Sequence, residues 1–233
     1  MDYGIRGRTA LVVGGSRGIG FQSARLLAAE GCRVAVVARS ERPIARAVAE
    51  ITDSGGEAVG IPSDMSTPEG IAAAVAATTE QLGAPLIVIT QADFHVRGFF
   101  AEITRAEDYV DSYRTYTLSQ VYMLHAVLPA MKEAGWGRFV HIGSATAKEP
   151  QNKPPHTVAN ATRPSTVGLL KSVADEYAQF GITINTIAPG WIATKTTDRY
   201  LSEHEGLTDD ESRRTWMINT AGVPAGRLGQ PAE

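Results

Sequence analysis

The first residues in the chain that could do chemistry form a glycine-rich segment, Gly14-Gly15-Ser16-Arg17-Gly18-Ile19-Gly20. It follows a short β-branched run directly and leads into an amphipathic helical pattern. Glycines allow a tight turn and a close approach of backbone to ligand, and amides at a helix start bind phosphate. In this strand–turn–helix context the spacing predicts a dinucleotide pyrophosphate site. The predicted contacts are Gly14, Ser16, Arg17, Gly18, Ile19 and Gly20.

The end of the second predicted strand bears on which dinucleotide binds. Sites for NAD usually place an acid about 20 residues after the turn, where it binds the ribose hydroxyl. This chain has Arg39-Ser40 there, and Arg17 in the turn supplies a second guanidinium. Because guanidinium groups bind phosphates well, the pattern favours NADP(H), with its 2′-phosphate, over NAD(H). The alternative is that Arg39 is only a solvated residue at a strand end.

Alternating strand and helix patterns surround these residues. Short runs rich in Val and Ile predict parallel strands that are covered on both faces. They lie at Thr9–Val13, Arg33–Ala38, Ala58–Ile61, Leu86–Thr90, Arg138–Ile142 and Thr183–Ile187. The longer amphipathic stretches between them predict helices, at Gly18–Glu30, Glu41–Ser54, Pro68–Leu82, Ala106–Ala134 and roughly Ser165–Phe180.

This alternation predicts an α/β fold with a doubly wound parallel sheet of the Rossmann type, since right-handed crossovers restrict the topology. We expect one domain over residues 1–233. The stretch after Ile192 is polar and has no strand pattern. It predicts short helices that form a lid over the strand ends, at about residues 194–222, and the alternative is a flexible tail.

Composition and charge exclude several classes of protein. The net charge is −3 and 20% of residues are charged, so no basic excess favours a nucleic acid or a membrane surface as partner. No secretion signal or bilayer-spanning stretch is found in the sequence, and we expect a cytoplasmic protein. The single cysteine, Cys32, suits a reducing compartment and is expected to be a small buried residue. The histidines and Cys32 lack metal-ligand spacing, so no metal site is expected.

From about Arg8 to Gln230 the chain resembles the short-chain dehydrogenase/reductase family, especially its ketoacyl-carrier-protein-reductase-like branch. The glycine turn matches the family's Thr-Gly-x-x-x-Gly-x-Gly, with Val13 in place of the threonine. The other matching motifs are Ser63-Asp64-Met65, Gly137-Arg138-Phe139-Val140-His141-Ile142-Gly143-Ser144, Gly181-Ile182-Thr183-Ile184-Asn185 and Pro189-Gly190-Trp191-Ile192-Ala193-Thr194.

The resemblance implies further cofactor contacts. Asp64 and Met65 match the segment that touches the adenine. Gln91 and Ala92 belong to the segment Thr90-Gln91-Ala92-Asp93, which replaces the family's Asn-Asn-Ala-Gly after the fourth strand. The loop that holds the nicotinamide amide is matched by Pro189, Gly190, Ile192 and Thr194. The resemblance also implies a homodimer or homotetramer, packed through the long helix at Ala106–Ala134 and through the helix after the catalytic segment.

The family's catalytic residues are a serine, a tyrosine, a lysine one helical turn later, and an asparagine. Ser144 keeps the serine. The tyrosine position falls on Ala159, the lysine position on Arg163, and the asparagine position on Tyr116 or Thr117. Ala159 cannot transfer a proton, and Arg163 stays protonated, so it can hold an oxyanion or a ribose hydroxyl but is a poor acid or base.

Other side chains near this segment could replace the lost chemistry. His156 lies three residues before the tyrosine position, and a histidine pKa of about 6.5 suits acid/base work; the alternative is a solvated loop histidine. Tyr113 and Tyr116 could project a phenol from the long helix, or else serve packing or subunit contacts. The predicted catalytic residues are therefore Ser144, Arg163 and His156. Pro164 predicts a broken or kinked helix here, or one that starts later.

Two functions from different classes follow. The first is an atypical NADP(H)-dependent ketoreductase that acts on a small-molecule carbonyl without the usual tyrosine and lysine. The second is a non-redox member of the fold, either a dehydratase or isomerase, or an inactive subunit that partners an active homologue.

Overall fold

A computed structural model describes residues 2–92, 96–150 and 155–233. The chain divides into two compact units, Met1–Ala188 and Pro189–Glu233. Within the described part of the first unit, six strands form one parallel sheet in the order β3-β2-β1-β4-β5-β6. They are β1 (Thr9–Val13), β2 (Arg33–Ala38), β3 (Glu57–Pro62), β4 (Pro85–Gln91), β5 (Gly137–Ile142) and β6 (Ile182–Ile187). The sequence prediction of a doubly wound parallel sheet is confirmed, with strand ends within one residue of those expected.

Helices cover the sheet on both faces. In the first unit they are α1 (Gly18–Ala29), α2 (Glu41–Asp53), α3 (Pro68–Leu82), α4 (Ala106–Tyr113), α5 (Ser119–Glu133) and α6 (Thr157–Tyr177). Alternate strand residues enter separate cores: Leu11 packs with α3, α5 and α6 residues, and Val12 packs with residues of α1 and α2. Because neither sheet face meets water, the strands read as continuous apolar runs.

The chain order reverses between β1 and β4, which are neighbours in the sheet although β2 and β3 separate them in sequence. In open α/β sheets, ligands bind in the crevice at the carboxyl ends of strands beside such a reversal. The glycine turn follows β1 and Gln91 ends β4. The fold therefore positions the predicted dinucleotide turn at this switch point.

The predicted helix at Ala106–Ala134 is a helical run with a changed hydrogen-bond pattern at its centre. Between α4 and α5, residues Arg114–Leu118 form a π-helical turn. Such turns are rare and occur frequently at functional sites. This one presents Tyr116, whose side chain is buried.

The prediction that Pro164 breaks a helix, or that the helix starts near Ser165, is wrong. Helix α6 begins at Thr157 and contains Pro164 in its interior. Hydroxyl groups join the helix to its neighbour on both sides of the proline: Ser112 Oγ lies 2.8 Å from Thr162 Oγ1, and Thr117 Oγ1 lies 2.7 Å from Ser165 Oγ. These tertiary contacts stabilise the helix through a residue whose intrinsic preference opposes it.

The second unit contains two short helices, α7 (Lys195–Glu203) and α8 (Asp210–Asn219). Its core packs Tyr200, Leu201, Trp216 and Met217 together. The carboxylate of Glu205 accepts hydrogen bonds from the Tyr200 hydroxyl and, at 3.0 Å, from the Trp216 indole. The expected short helices are present, and their action as a lid within one domain stays a prediction.

Two expectations from composition bear on the described residues. None of their helices is both long enough and apolar enough to cross a bilayer. Cys32 is buried, as expected, and its thiol donates to the carbonyl of Ile5 at 3.3 Å. Burial raises the pKa of this thiol, which disfavours the reactive thiolate.

Candidate active site

The turn after β1 is held in place by the end of β4. The side-chain amide of Gln91 donates to the carbonyl of Gly14 at 3.0 Å, and the Gly14 amide donates to the carbonyl of Val37 at 2.8 Å. Gly14 has φ +67°, and a Cβ there would lie 1.9 Å from Gln91 Nε2. Glycine is therefore required at position 14 both by the backbone conformation and by the packed amide.

The start of α1 has the character of an anion site. Arg17 is its N-cap in an extended conformation and makes no side-chain capping bond, and the first turn holds no acidic residue. Gly18, the first helical residue, has φ +58°. The first-turn amides thus lack a side-chain acceptor and remain available to a bound anion. This arrangement fits the pyrophosphate of a dinucleotide.

Arg39 and Asp64 lie at the carboxyl ends of the neighbouring strands β2 and β3. Arg39 and Ser40 are exposed, and Ser40 caps α2 without a side-chain bond. The Asp64 carboxylate accepts from the backbone N–H of Ser66 at 3.0 Å and from its hydroxyl at 2.7 Å. These bonds, together with the charge of Arg39, lower the pKa of Asp64. The Arg39 guanidinium and the Asp64 carboxylate therefore lie at neighbouring strand ends, where the adenosine ribose of a bound dinucleotide is predicted.

The remaining predicted cofactor residues fall into two groups. In the first unit, Ile19 and Met65 are partly buried against the core, while Ala92 borders the cavity described below. In the second unit, the Thr194 hydroxyl caps α7 by accepting from the Thr197 amide at 3.2 Å. The other members of the predicted nicotinamide loop are Pro189, Gly190 and Ile192, of which Ile192 forms a bridge with Gly229. Asp93 lies outside the described residues.

A cavity in the first unit brings together two of the three predicted catalytic residues, Ser144 and Arg163. Its lining comes from the end of β4, the π-helical turn, the end of β5 with the 3₁₀ turn that follows, and α6. These lining residues are Ala92, Tyr116, His141, Ile142, Gly143, Ser144, Ala147, Arg163 and Val167.

The guanidinium of Arg163 organises the polar groups around this cavity. Its Nη1 donates to Thr146 Oγ1 at 2.7 Å, and its Nη2 donates to the Tyr116 hydroxyl at 3.3 Å. Its charge lies 5.3 Å from the centroid of the same tyrosine ring. Ser144 Oγ lies 3.2 Å from Thr146 Oγ1 and accepts from the Thr146 amide at 3.3 Å. Arg163, at the family's lysine position, thus touches a phenol that comes from a different helix.

The third predicted catalytic residue, His156, is absent from the cavity lining. It precedes α6, is half-buried, and pairs through its backbone with Gly98. Burial, and then the charges of Arg163 and Arg97, lower the pKa of His156 to about 4. The side chain is thus less solvated than the loop histidine considered as the alternative, and its pKa lies below the ordinary value, because sequence does not reveal this burial. His156 is uncharged at neutral pH.

The two tyrosines considered as proton donors differ in burial and position. Tyr113 is 43% exposed, whereas Tyr116 is 3% exposed and borders the cavity. Ala159, at the family's tyrosine position, is buried on α6. Of the two candidate tyrosines, Tyr113 and Tyr116, only Tyr116 reaches Arg163 among the described contacts.

Sequence reasoning missed His141, which borders the cavity from β5. The ring is 3% exposed, and its Nδ1 lies 3.0 Å from the hydroxyl of Thr90, its register partner on β4. Burial lowers the pKa of His141 to about 4. A histidine among the apolar residues Phe139, Val140 and Ile142, three residues before Ser144, was the available signal. Among the described residues, no cluster of three metal-ligating side chains occurs.

Comparison with known proteins extends these observations. The family model for short chain dehydrogenase matches residues 8–205. The chain is 33% identical to a 3-oxoacyl-[acyl-carrier-protein] reductase of Vibrio cholerae, over 98% of this chain and 87% of that protein. It is 32% identical to a putative ketoacyl reductase of Streptomyces coelicolor, over 96% of this chain and 85% of that protein.

Two solved structures share the architecture. A crystal structure of an actinorhodin polyketide ketoreductase variant with NADPH has a TM-score of 0.85 and 32% identity, covering 97% of this chain and 86% of that one. L-sorbose reductase from Gluconobacter frateurii, complexed with NADPH and L-sorbose, has a TM-score of 0.90 and 25% identity, covering 100% of this chain and 88% of that one.

Proposed function

Because the chain belongs to the short chain dehydrogenase family, in its ketoacyl-reductase-like branch, we propose that it is an NADP(H)-dependent ketoreductase with a rearranged proton donor. Ser144, Tyr116 and Arg163 act on the carbonyl of a small molecule. The observation that carries the proposal is the single guanidinium that contacts both the Tyr116 hydroxyl and, through Thr146, the serine side of the same cavity.

The hydrogen-bond pattern allows Ser144 and Tyr116 to act as donors toward the cavity. A guanidinium can only donate hydrogen bonds, so Thr146 Oγ1 accepts one from Arg163. The Thr146 hydroxyl can then donate its own hydrogen bond to Ser144 Oγ. Ser144 Oγ also accepts from the Thr146 amide, and its own hydrogen is then free for a substrate oxygen. Tyr116 likewise accepts from Arg163 and keeps its hydrogen. Two donors in one cavity suit the negative charge that develops on a carbonyl oxygen during reduction.

The proton step falls to Tyr116. When bound, a nicotinamide cofactor would supply the hydride chemistry at the carbonyl carbon. The Tyr116 hydroxyl gives its proton to the carbonyl oxygen, which becomes the product alcohol, and the resulting phenolate lies against the Arg163 guanidinium. Arg163 does not transfer a proton, because its charge is fixed. Solvent then returns a proton to the phenolate.

The turn residues and the relatives support the phosphorylated cofactor. The uncapped start of α1 would hold the pyrophosphate, and Arg17 and Arg39 would contact the 2′-phosphate through charge-assisted bonds. The relatives' names include ketoacyl reductases, and both solved structures named above contain NADPH. By analogy with the family, we further propose a cytoplasmic homodimer or homotetramer in which residues 194–222 form a lid, and His156 has a supporting role beside Arg163.

The decisive experiment separates binding from turnover. NADPH and NADH are titrated into the purified protein and binding is followed by nicotinamide fluorescence; NADPH oxidation is then measured with a panel of cyclic and aromatic ketones. We expect tighter binding of NADPH and oxidation with at least one ketone. Tight binding without turnover would favour a dehydratase, an isomerase or an inactive partner subunit instead. Failure to bind either nucleotide would contradict both functions.

A further inference from the structure

A chain of hydrogen bonds behind the cavity fixes which nitrogen of His141 carries its hydrogen. The chain begins at the backbone carbonyl of Thr115, which can only accept. The Ser119 hydroxyl donates to it at 2.6 Å. The single hydrogen of Ser119 is thereby used, so the contact between Ser119 Oγ and Gln120 at 3.0 Å requires the amide nitrogen of Gln120 to be the donor.

The orientation of Gln120 determines the next two bonds. Its Oε1 faces the Thr90 hydroxyl at 2.7 Å, and this bare oxygen can only accept, so Thr90 donates to it. The hydrogen of Thr90 is now used as well. The 3.0 Å contact between Thr90 Oγ1 and His141 Nδ1 therefore requires the imidazole to donate from Nδ1. The hydrogen-bond direction of a histidine's second partner sets its tautomer.

The other ring nitrogen is left with an acceptor lone pair. A neutral imidazole that carries hydrogen on Nδ1 has none on Nε2, and burial keeps this ring neutral. Among the described residues, none forms a hydrogen bond with Nε2. The ring atom bonded to Nε2, Cδ2, lies near Gly143, since a Cβ there would lie 3.5 Å from it. His141 and Gly143 both border the cavity.

We propose that His141 Nε2 is a specificity-determining acceptor that selects carbonyl compounds carrying a hydroxyl group next to the reacting carbonyl. Ser144 and Tyr116 present donors to the carbonyl oxygen, whereas His141 presents an acceptor in the same cavity, and an α-hydroxyketone offers the matching pair of groups. A buried acceptor left unpaired penalises an analogue that lacks the hydroxyl. The substrate class rests on the proposed reductase function, but the assignment of the acceptor does not.

The first test reads the tautomer directly. Nitrogen-15 NMR of histidine-labelled protein, with His141 assigned by comparison with His141→Asn, should show Nδ1 protonated and Nε2 unprotonated at neutral pH. Hydroxyacetone added to the NADPH-loaded protein should shift the Nε2 resonance, and methoxyacetone at the same concentration should not. An Nε2–H tautomer, or equal responses to the two ketones, would overturn the proposal whether or not the protein turns over.

The second test uses two substitutions of His141, one that keeps only the hydrogen-bond donor of the imidazole and one that keeps an acceptor near the Nε2 position. His141→Asn places an amide near the Nδ1 position, which keeps a donor for Thr90 but removes the acceptor from the cavity. His141→Gln places an amide near the Nε2 position and keeps an acceptor. The preference for hydroxyacetone over methoxyacetone in kcat/KM should fall by about tenfold or more in His141→Asn and persist in His141→Gln. An unchanged preference in His141→Asn would refute the role of His141, while absence of turnover on every ketone would count against the reductase function alone.

Discussion

The guanidinium of Arg163 donates to the hydroxyl of Tyr116 at 3.3 Å, and its charge lies 5.3 Å from the centre of the same ring. The two residues come from α6 and from the π-helical turn between α4 and α5. In relatives of this family a tyrosine and a lysine share one helix face. Here a phenol and a fixed positive charge meet across two helices, while Ala159 occupies the predicted tyrosine position on α6.

Tyr116→Phe tests whether Tyr116 is the proton donor, as proposed. The substitution keeps the aromatic ring beside Arg163 and removes the hydroxyl, so kcat for ketone reduction should fall by about 10²–10⁴-fold, the range for loss of a general acid. Stopped-flow or steady-state NADPH oxidation measures kcat, and fluorescence titration should give an unchanged Kd for NADPH. Tyr113→Phe, on the exposed face of the same helical run, serves as the control. Equal activity of Tyr116→Phe and the wild type would contradict this role.

Arg163→Lys and Arg163→Met separate charge from geometry. Lysine keeps a positive charge but lacks the planar fork that reaches both Thr146 and Tyr116, whereas methionine keeps only the apolar stem. We expect kcat/KM to fall by about tenfold in Arg163→Lys and by about 10²–10³-fold in Arg163→Met, as for loss of an oxyanion-stabilising group. If both variants lost the same activity, positive charge without the fork would have no separate role; full activity in Arg163→Lys would show that the fork itself is not needed.

Arg39→Asp tests the cofactor preference. The new carboxylate would lie beside Asp64 and repel the 2′-phosphate, while it could accept from the ribose hydroxyl of NADH. The ratio of the Kd for NADPH to the Kd for NADH should rise by about tenfold or more, in keeping with loss of one charge-assisted phosphate contact. Arg46→Asp makes the same change of charge on the exposed side of α2 and should leave this ratio unaltered. A proportional loss of both affinities in Arg39→Asp would refute the 2′-phosphate contact.

The two buried imidazoles predict a pH dependence of stability. Burial lowers the pKa of His141 and of His156 to about 4, so between about 6.5 and 4 the unfolded chain binds protons that the folded chain excludes. Stability must therefore fall as the pH falls through this window. For His141, which is 3% exposed, the loss between about pH 7 and about pH 5 should be roughly 1–2 kcal/mol in the free energy of unfolding.

Urea unfolding at several pH values measures this loss. His141→Gln should reduce the slope of unfolding free energy against pH. Phe139→Leu, on the same face of β5, should lower stability at every pH without changing the slope, because it removes packing but no titrating group. A slope that His141→Gln leaves intact would assign the acid sensitivity to other groups.

Patterns within the sequence determined the sheet, its strands and the phosphate-binding turn. A strand buried on both faces must be a continuous apolar run, and a turn with positive φ at Gly14 and Gly18 must use glycine, so these features are visible as residue types at fixed spacing. The same kind of pattern predicts that Ala159 and Arg163 stand at the family's tyrosine and lysine positions. Ser144 and Arg163 were chosen from sequence, and the cavity brings them together.

Only the tertiary structure decided what surrounds those two residues. The contact of Arg163 with Tyr116 joins residues 47 positions apart, and the path from Thr115 to His141 crosses from one helical run to two strands. Helix α6 continues through Pro164 because hydroxyl contacts with its neighbour outweigh a local preference. The depressed pKa values of His141 and His156 likewise arise from burial, which depends on packing from distant segments. Spacing in the sequence indicates which side chains share one face of a helix or strand. The three-dimensional packing decides which helices and strands face each other.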